Sequence, residues 1–163
     1  MSILATILCR RITLLTALSF FVAGLATAQV EDSALQMVRK VGLGQNLGRM
    51  AYVLAKNTVT YKVLVRNVGA IKADELLSFE LAIEVPLLQP QWNANLAKAW
   101  RPLMAPSEFE SIAAERGKSP YAKKFASLQD RAGAEMKADS EKLLTALVAK
   151  TLGNALEKSI SHN

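Results

Sequence analysis

At 163 residues, 51 % apolar and +6 in formal charge, the chain is long enough for one domain with a core of its own, and hardly for two. Its one cysteine, Cys9, excludes an internal disulfide. Its one histidine, His162, stands beside the C-terminus, where chains fray, so no histidine-based nucleophile or zinc site is supported.

Residues 1–28 read as a secretory signal peptide. Arg10 and Arg11 supply the positive charge, 12–25 is a mostly apolar run, and Ala26-Thr27-Ala28 is the small-x-small pattern a signal peptidase accepts. The run is about 14 residues, below the ~20 that an α-helix needs to cross a bilayer. The expectation is cleavage before Gln29, general secretory export, and a mature domain at 29–163 in the periplasm or outside the cell. Cys9 leaves with the signal. The mature domain then has no thiol for a nucleophile or a metal, and must hold together by core burial alone.

From there, apolar spacing reads helical nearly throughout. A first helix starts at Asp32 or Ser33, both good N-caps, with Leu35 and Val38 facing inward. Gly42 and Gly44 predict a break, and a second helix runs from about Gln45 with Leu47, Met50, Ala51 and Leu54 on one face. After Asn57-Thr58, residues 59–68 alternate as a strand would at Val59, Tyr61, Val63 and Val65. Tyr61, Leu64, Val65 and Val68 equally fit a helix, and a lone strand has no partner here, so a helix stopped by Gly69 is expected.

The next helix covers about 72–85, with Leu76, Leu77, Glu80, Leu81 and Glu84 in a mixed face. Pro86 and Pro90 are expected to break or kink the chain, and a further helix brings Trp92, Leu96, Trp100 and Leu103 onto one side. Ser107 and Glu110 fit a capping box with Gly117 as the stop of a short helix. Ser119-Pro120 reads as an N-cap followed by proline at the first helical position. Tyr121, Phe125 and Leu128 then line one face, and Leu144, Leu147, Val148, Thr151, Leu152, Ala155 and Leu156 form a broad apolar stripe, with a new start at Asp139 or Ser140 left open. The predicted fold is a single-domain, all-α bundle of roughly six to eight helices. Gly117, Ser119 and Pro120 form its structural joint, with Gly117 in a left-handed turn.

Residues 105–125 resemble the late signature of the domain-of-unknown-function 2059 family of small exported bacterial proteins. That signature is a short helix of the Glu-Leu-x-x-Leu type, then Phe-Tyr-x-Ser-Pro-x-Gly-x-Lys. Glu108, Phe109 and Ile112 match the helix, Ser119 and Pro120 the Ser-Pro step, and Lys124 the basic end. Leu35, Val41-Gly42-Leu43, Gln45, Asn46 and Leu47 are similar to the family's first two helices. Arg116 and Gly117 stand in place of the Phe-Tyr pair, Ala122 replaces the glycine, and the spacing is one residue long. The resemblance implies an exported all-helical protein and carries over no catalytic residue.

Chemistry-bearing patterns are sparse. Glu108 and Glu115, seven apart, could share a helix face, as glycoside hydrolysis requires of two acids, but both sit among charged neighbours. No Gly-x-Ser-x-Gly turn exists, and Gly42, Gly44 and Gly48 match no nucleotide-binding spacing. No cofactor or metal is expected. Trp92 and Trp100, with a rim of Gln89, Gln91, Asn93 and Asn95, and the cations Arg39, Lys40 and Arg49 are the candidate partner-binding residues, although tryptophans on a helix face shared with Leu96 read first as core. Nucleic acid is not expected, for want of a basic patch with stacking aromatics. The leading reading is a non-catalytic protein-binding module of the bacterial envelope, its partner another envelope protein. The alternatives are contact with an anionic lipid surface or lipopolysaccharide through the basic stretch 39–72, and an envelope hydrolase with paired carboxylates.

Overall fold

Helix boundaries in the computed structural model follow the capping chemistry of the sequence. The structure describes residues 32–161; the expected signal peptide, its cleavage point and His162 lie outside them. Asp32 caps α1 (Ser33–Val41) by accepting from the Ala34 amide at 3.2 Å. Gly42, left-handed at φ 80°, ends that helix and leads through a short 3-10 turn to α2 (Leu47–Lys56). Thr58 Oγ1 accepts from the Tyr61 amide at 3.1 Å to start α3 (Val59–Val68), which Gly69 ends, also at φ 80°. The alternating stretch is therefore helical, with Tyr61 and Leu64 buried.

α4 (Ala70–Trp100) departs from the expectation of a break. It runs unbroken through Pro86 and Pro90. Each proline removes one amide donor, freeing the carbonyls of Ala82 and Pro86 four residues earlier. Ala82, Pro86 and Pro90 are all exposed, so those carbonyls sit on the face where water can reach them. α5 (Pro106–Glu115) begins two residues earlier than expected: Ala105 is the N-cap and Pro106 the first helical residue. Alanine has no side-chain acceptor, so the capping box is half present, with Glu108 Oε2 accepting from the Ala105 amide at 2.8 Å. α6 (Ala122–Ser161) is a single helix across Asp139 and Ser140.

Six α-helices and two short 3-10 turns, with no strand among the described residues, make an all-α, single-domain bundle. α4 and α6 form its axis. They run antiparallel, in a register fixed by Lys98–Asp139, Asn95–Ser140, Glu84–Lys150 and Glu80–Lys158. α1 packs on α5 and on α4, and α2 and α3 pack on both long helices. Met37, Leu47, Leu64, Leu77, Ile112 and Leu147 are the large side chains most completely buried in the shared core.

The joint into α6 is built differently from the expectation. α6 begins at Ala122, so Pro120 is not its first residue and Ser119 stands in the turn before it, where its Oγ accepts from the Tyr121 amide at 3.2 Å and meets Ser111 Oγ at 2.8 Å. The positive φ, however, belongs to Arg116 at 53°, not to Gly117, and a Cβ on Gly117 would meet nothing within 4 Å. The Arg116 guanidinium donates to the Lys40 carbonyl at 3.1 Å, an anchor to α1 that only this non-glycine residue can supply.

Candidate functional site

Of the two readings open for Trp92 and Trp100, a binding face or a core placement beside Leu96, the structure takes the core one. Trp92 and Trp100 are each 2 % exposed. Trp100 stacks on Phe125 with ring centroids 4.5 Å apart, and Trp92 Nε1 donates to Asn46 Oδ1 at 3.3 Å. Two of the amides expected to rim them, Gln89 and Asn95, tie α4 to other segments, while exposed Gln91 bonds only to Asn95 along the same helix. Gln89 Nε2 donates to the Gly44 carbonyl and to Asn93 Oδ1, both at 2.8 Å, and Asn95 Nδ2 donates to Ser140 Oγ at 3.2 Å. Gly44 is required here because a Cβ would overlap Asn93 Oδ1.

The carboxylates are committed to partners. Glu108 is bound by Lys124 Nζ at 2.7 and 2.8 Å, and that ammonium, helped by the Ala105 amide, holds its carboxyl below the usual range. Glu115 accepts from Ser111 Oγ. Glu80 and Glu84, one turn apart on α4, are buried and face Lys158 and Lys150 at 2.5 and 2.8 Å. No hydrogen-bond donor is aligned on Glu80 Oε1, which is balanced by the charge of Lys158, while Asn154 donates to Oε2 at 3.1 Å.

A second polar cluster ties α2, α3 and α4. Asp74 Oδ1 accepts from the Tyr61 hydroxyl at 2.5 Å and the Tyr52 hydroxyl at 3.0 Å, and Oδ2 accepts from Lys56 Nζ at 3.2 Å. The Tyr61 bond first, then Lys56 and Tyr52, hold the Asp74 carboxyl below its usual range, and Asp74 in turn raises Lys56. Burial, then Asp74, raises Tyr61. A depressed carboxyl stabilises the fold above its unfolded pKa, and that contribution fades as pH falls through the folded value, on the acid side of about pH 4. All three groups keep their ordinary charge near neutrality, so the cluster acts as a clamp.

Of the basic stretch, Lys56 and Lys72 are locally neutralised by Asp74 and Glu75. Arg39, Lys40 and Arg49 are exposed on α1 and α2. Only Arg49 lines a substantial apolar cavity.

That cavity is part of the feature sequence reasoning missed. Between α2 and α6, floored by Trp92 of α4, lies a cleft of about 530 Å³. It adjoins a second hollow of about 450 Å³, and the two share Met50, Leu54 and Leu144. Met50 and Leu54, expected to face inward, are 38 % and 40 % exposed, and Val53 beside them is 55 % exposed. Met136 lines the opposite wall. Asn46 and Ser140 fix that wall through their bonds to Trp92 and Asn95. Arg49, Lys137 and Glu141 stand exposed among the lining residues. The signal was present in the sequence. Apolar residues at 47, 50, 51, 53 and 54 cover more of a helix's circumference than one core seam can use.

An arrangement of two flexible thioethers, two leucines and an indole can hold an apolar group and adapt to its shape. Glu141 is the one carboxylate among the residues lining the cleft, so a two-acid hydrolysis has no second partner there. Among the described residues no group of three or more acids, histidines or cysteines is placed to hold a metal ion, and no helix is long and apolar enough to cross a membrane. No family model, no curated protein and no solved structure matches this chain.

Proposed function

We propose that the chain is a non-catalytic binding protein of the bacterial envelope, and that it binds in the cleft between α2 and α6. The observation that carries this reading is the exposure of Met50, Val53 and Leu54 along one side of a cleft whose walls are otherwise fixed by hydrogen bonds. A helix of ten residues keeping three large apolar side chains 38–55 % exposed forgoes about half of the ~1.5–3 kcal/mol that full burial of each would supply. A bound apolar group recovers part of it. The envelope address rests on the expected signal peptide at 1–28 and on the resemblance to the domain-of-unknown-function 2059 family.

Protein binding through Trp92 and Trp100 is replaced in this reading by the cleft itself. The hydrolase alternative, which rested on Glu108 and Glu115, is not favoured in this reading, because Glu108 is ion-paired to Lys124 and Glu115 accepts from Ser111.

The test uses Nile red, an uncharged apolar dye that brightens on leaving water. The protein should bind it at one saturable site, and Leu54→Glu should weaken that site at least tenfold with the far-ultraviolet circular dichroism unchanged. Leu87→Glu, at a 67 % exposed position on α4 outside the cleft, should leave it intact. Equal losses in the two variants, or none in Leu54→Glu, would remove the cleft from consideration.

A further inference from the structure

The cleft's occupant can be narrowed by size and charge, an inference that rests on the proposed binding role. At about 530 Å³ it falls inside the ~300–1000 Å³ of sites for small molecules. The shape is also long. Taken together, the cleft and the adjoining hollow are lined along α2 from Asn46 to Asn57, eleven steps of ~1.5 Å or about 16 Å. That is the reach of an extended acyl chain of about a dozen carbons, a single-file apolar ligand with few polar demands.

Charge supplies the other half. Two cations line the two hollows, Arg49 from α2 and Lys137 from α6, both exposed and without an ion pair among the described residues. The single acid, Glu141, leaves the lining with a net positive charge. An arginine fork and an ammonium are suited to a carboxylate, one by paired hydrogen bonds and the other as a point charge.

We infer that the cleft takes a free long-chain carboxylate, its tail along Met50, Leu54 and Leu144 and its head at the basic rim that Arg49 gives to one hollow and Lys137 to the other. Adjacent apolar and basic surface on one site matches the two ends of such an amphiphile. The polar wall groups Asn46 and Ser140 already have partners within the fold, which leaves them free of unmet demands on the tail.

The experiment compares laurate with dodecyltrimethylammonium, the same chain length with the opposite head charge, each titrated into the purified protein below its micellar concentration. Laurate should bind one to one and at least tenfold more tightly than the cation. Arg49→Glu with Lys137→Glu should erase that preference, while Lys118→Glu with Lys123→Glu, the same charge change outside the cleft, should preserve it. Equal affinity for the two heads, no saturable laurate binding, or equal losses in both double variants would overturn the inference. The Nile red titration separates the two failures. If the dye still occupies the cleft, the binding role stands and the carboxylate falls; if it does not, both fall.

Discussion

Toward α4, α6 is closed by partners chosen one by one: Lys158 and Asn154 on Glu80, Lys150 on Glu84, Ser140 under Asn95, Asp139 against Lys98. Toward α2, the same helix offers Met136 and Leu144 across a gap to Met50 and Leu54, and the only polar groups engaged are those that brace the wall. The contrast separates two uses of a helix face. Directional partners fix one register and penalise any slip, because a displaced buried charge is left uncompensated. Apolar side chains with no fixed mate set no register, and methionine in particular adapts to what is offered. The closed side specifies the fold, and the open side remains available to a ligand.

The sharpest way to break this contrast is to remove the same group from each side. Leu147 of α6 is 1 % exposed and Leu54 of α2 is 40 % exposed. Leu147→Ala should cost about 2–5 kcal/mol of unfolding free energy, from lost transfer energy and the cavity left behind. Leu54→Ala removes a side chain that water already reaches and should cost under about 1 kcal/mol. Urea unfolding of both variants measures the difference. Comparable losses would mean that the cleft is closed in solution.

A smaller effect sharpens how α6 is anchored before it meets either neighbour. Ser119→Ala removes the acceptor of the Tyr121 amide and should cost about 0.5–2 kcal/mol. Gly117→Ala should change stability by less than about 0.5 kcal/mol, because Gly117 has no positive φ and open space around it. If Gly117→Ala were the more damaging, the turn would be left-handed at Gly117 and the anchor from Arg116 to α1 would be absent.

What could be read from the sequence was local. Asp32, Thr58, Gly42, Gly69 and the Ser119-Pro120 step marked helix ends by capping chemistry that needs only near neighbours. Whether Pro86 and Pro90 would break the helix or only kink it was not legible, because a proline's cost depends on whether its freed carbonyl is wet, which is a property of the packed bundle. Trp92 and Trp100 were legible as core through their shared face with Leu96, and burial settles that reading over the binding one; what stayed hidden was that the neighbouring amides Gln89 and Asn95 bond to other segments. The cleft was the least legible feature. The overly wide apolar stripe on α2 hinted that one side chain row had no mate, but Met136 and Lys137 reach it from nearly ninety residues away, and no periodicity joins them.

The central claim, that an acyl chain lies along α2 above Trp92, can be tested by contact. Bromine on a fatty-acid tail quenches an indole only at close range. In Trp100→Phe, where Trp92 is the remaining tryptophan, brominated laurate should quench emission saturably at one equivalent. In Trp92→Phe, where the remaining indole is stacked on Phe125 in the core, the same titration should leave emission nearly unchanged. Equal quenching in the two variants, or none in either, would contradict the account.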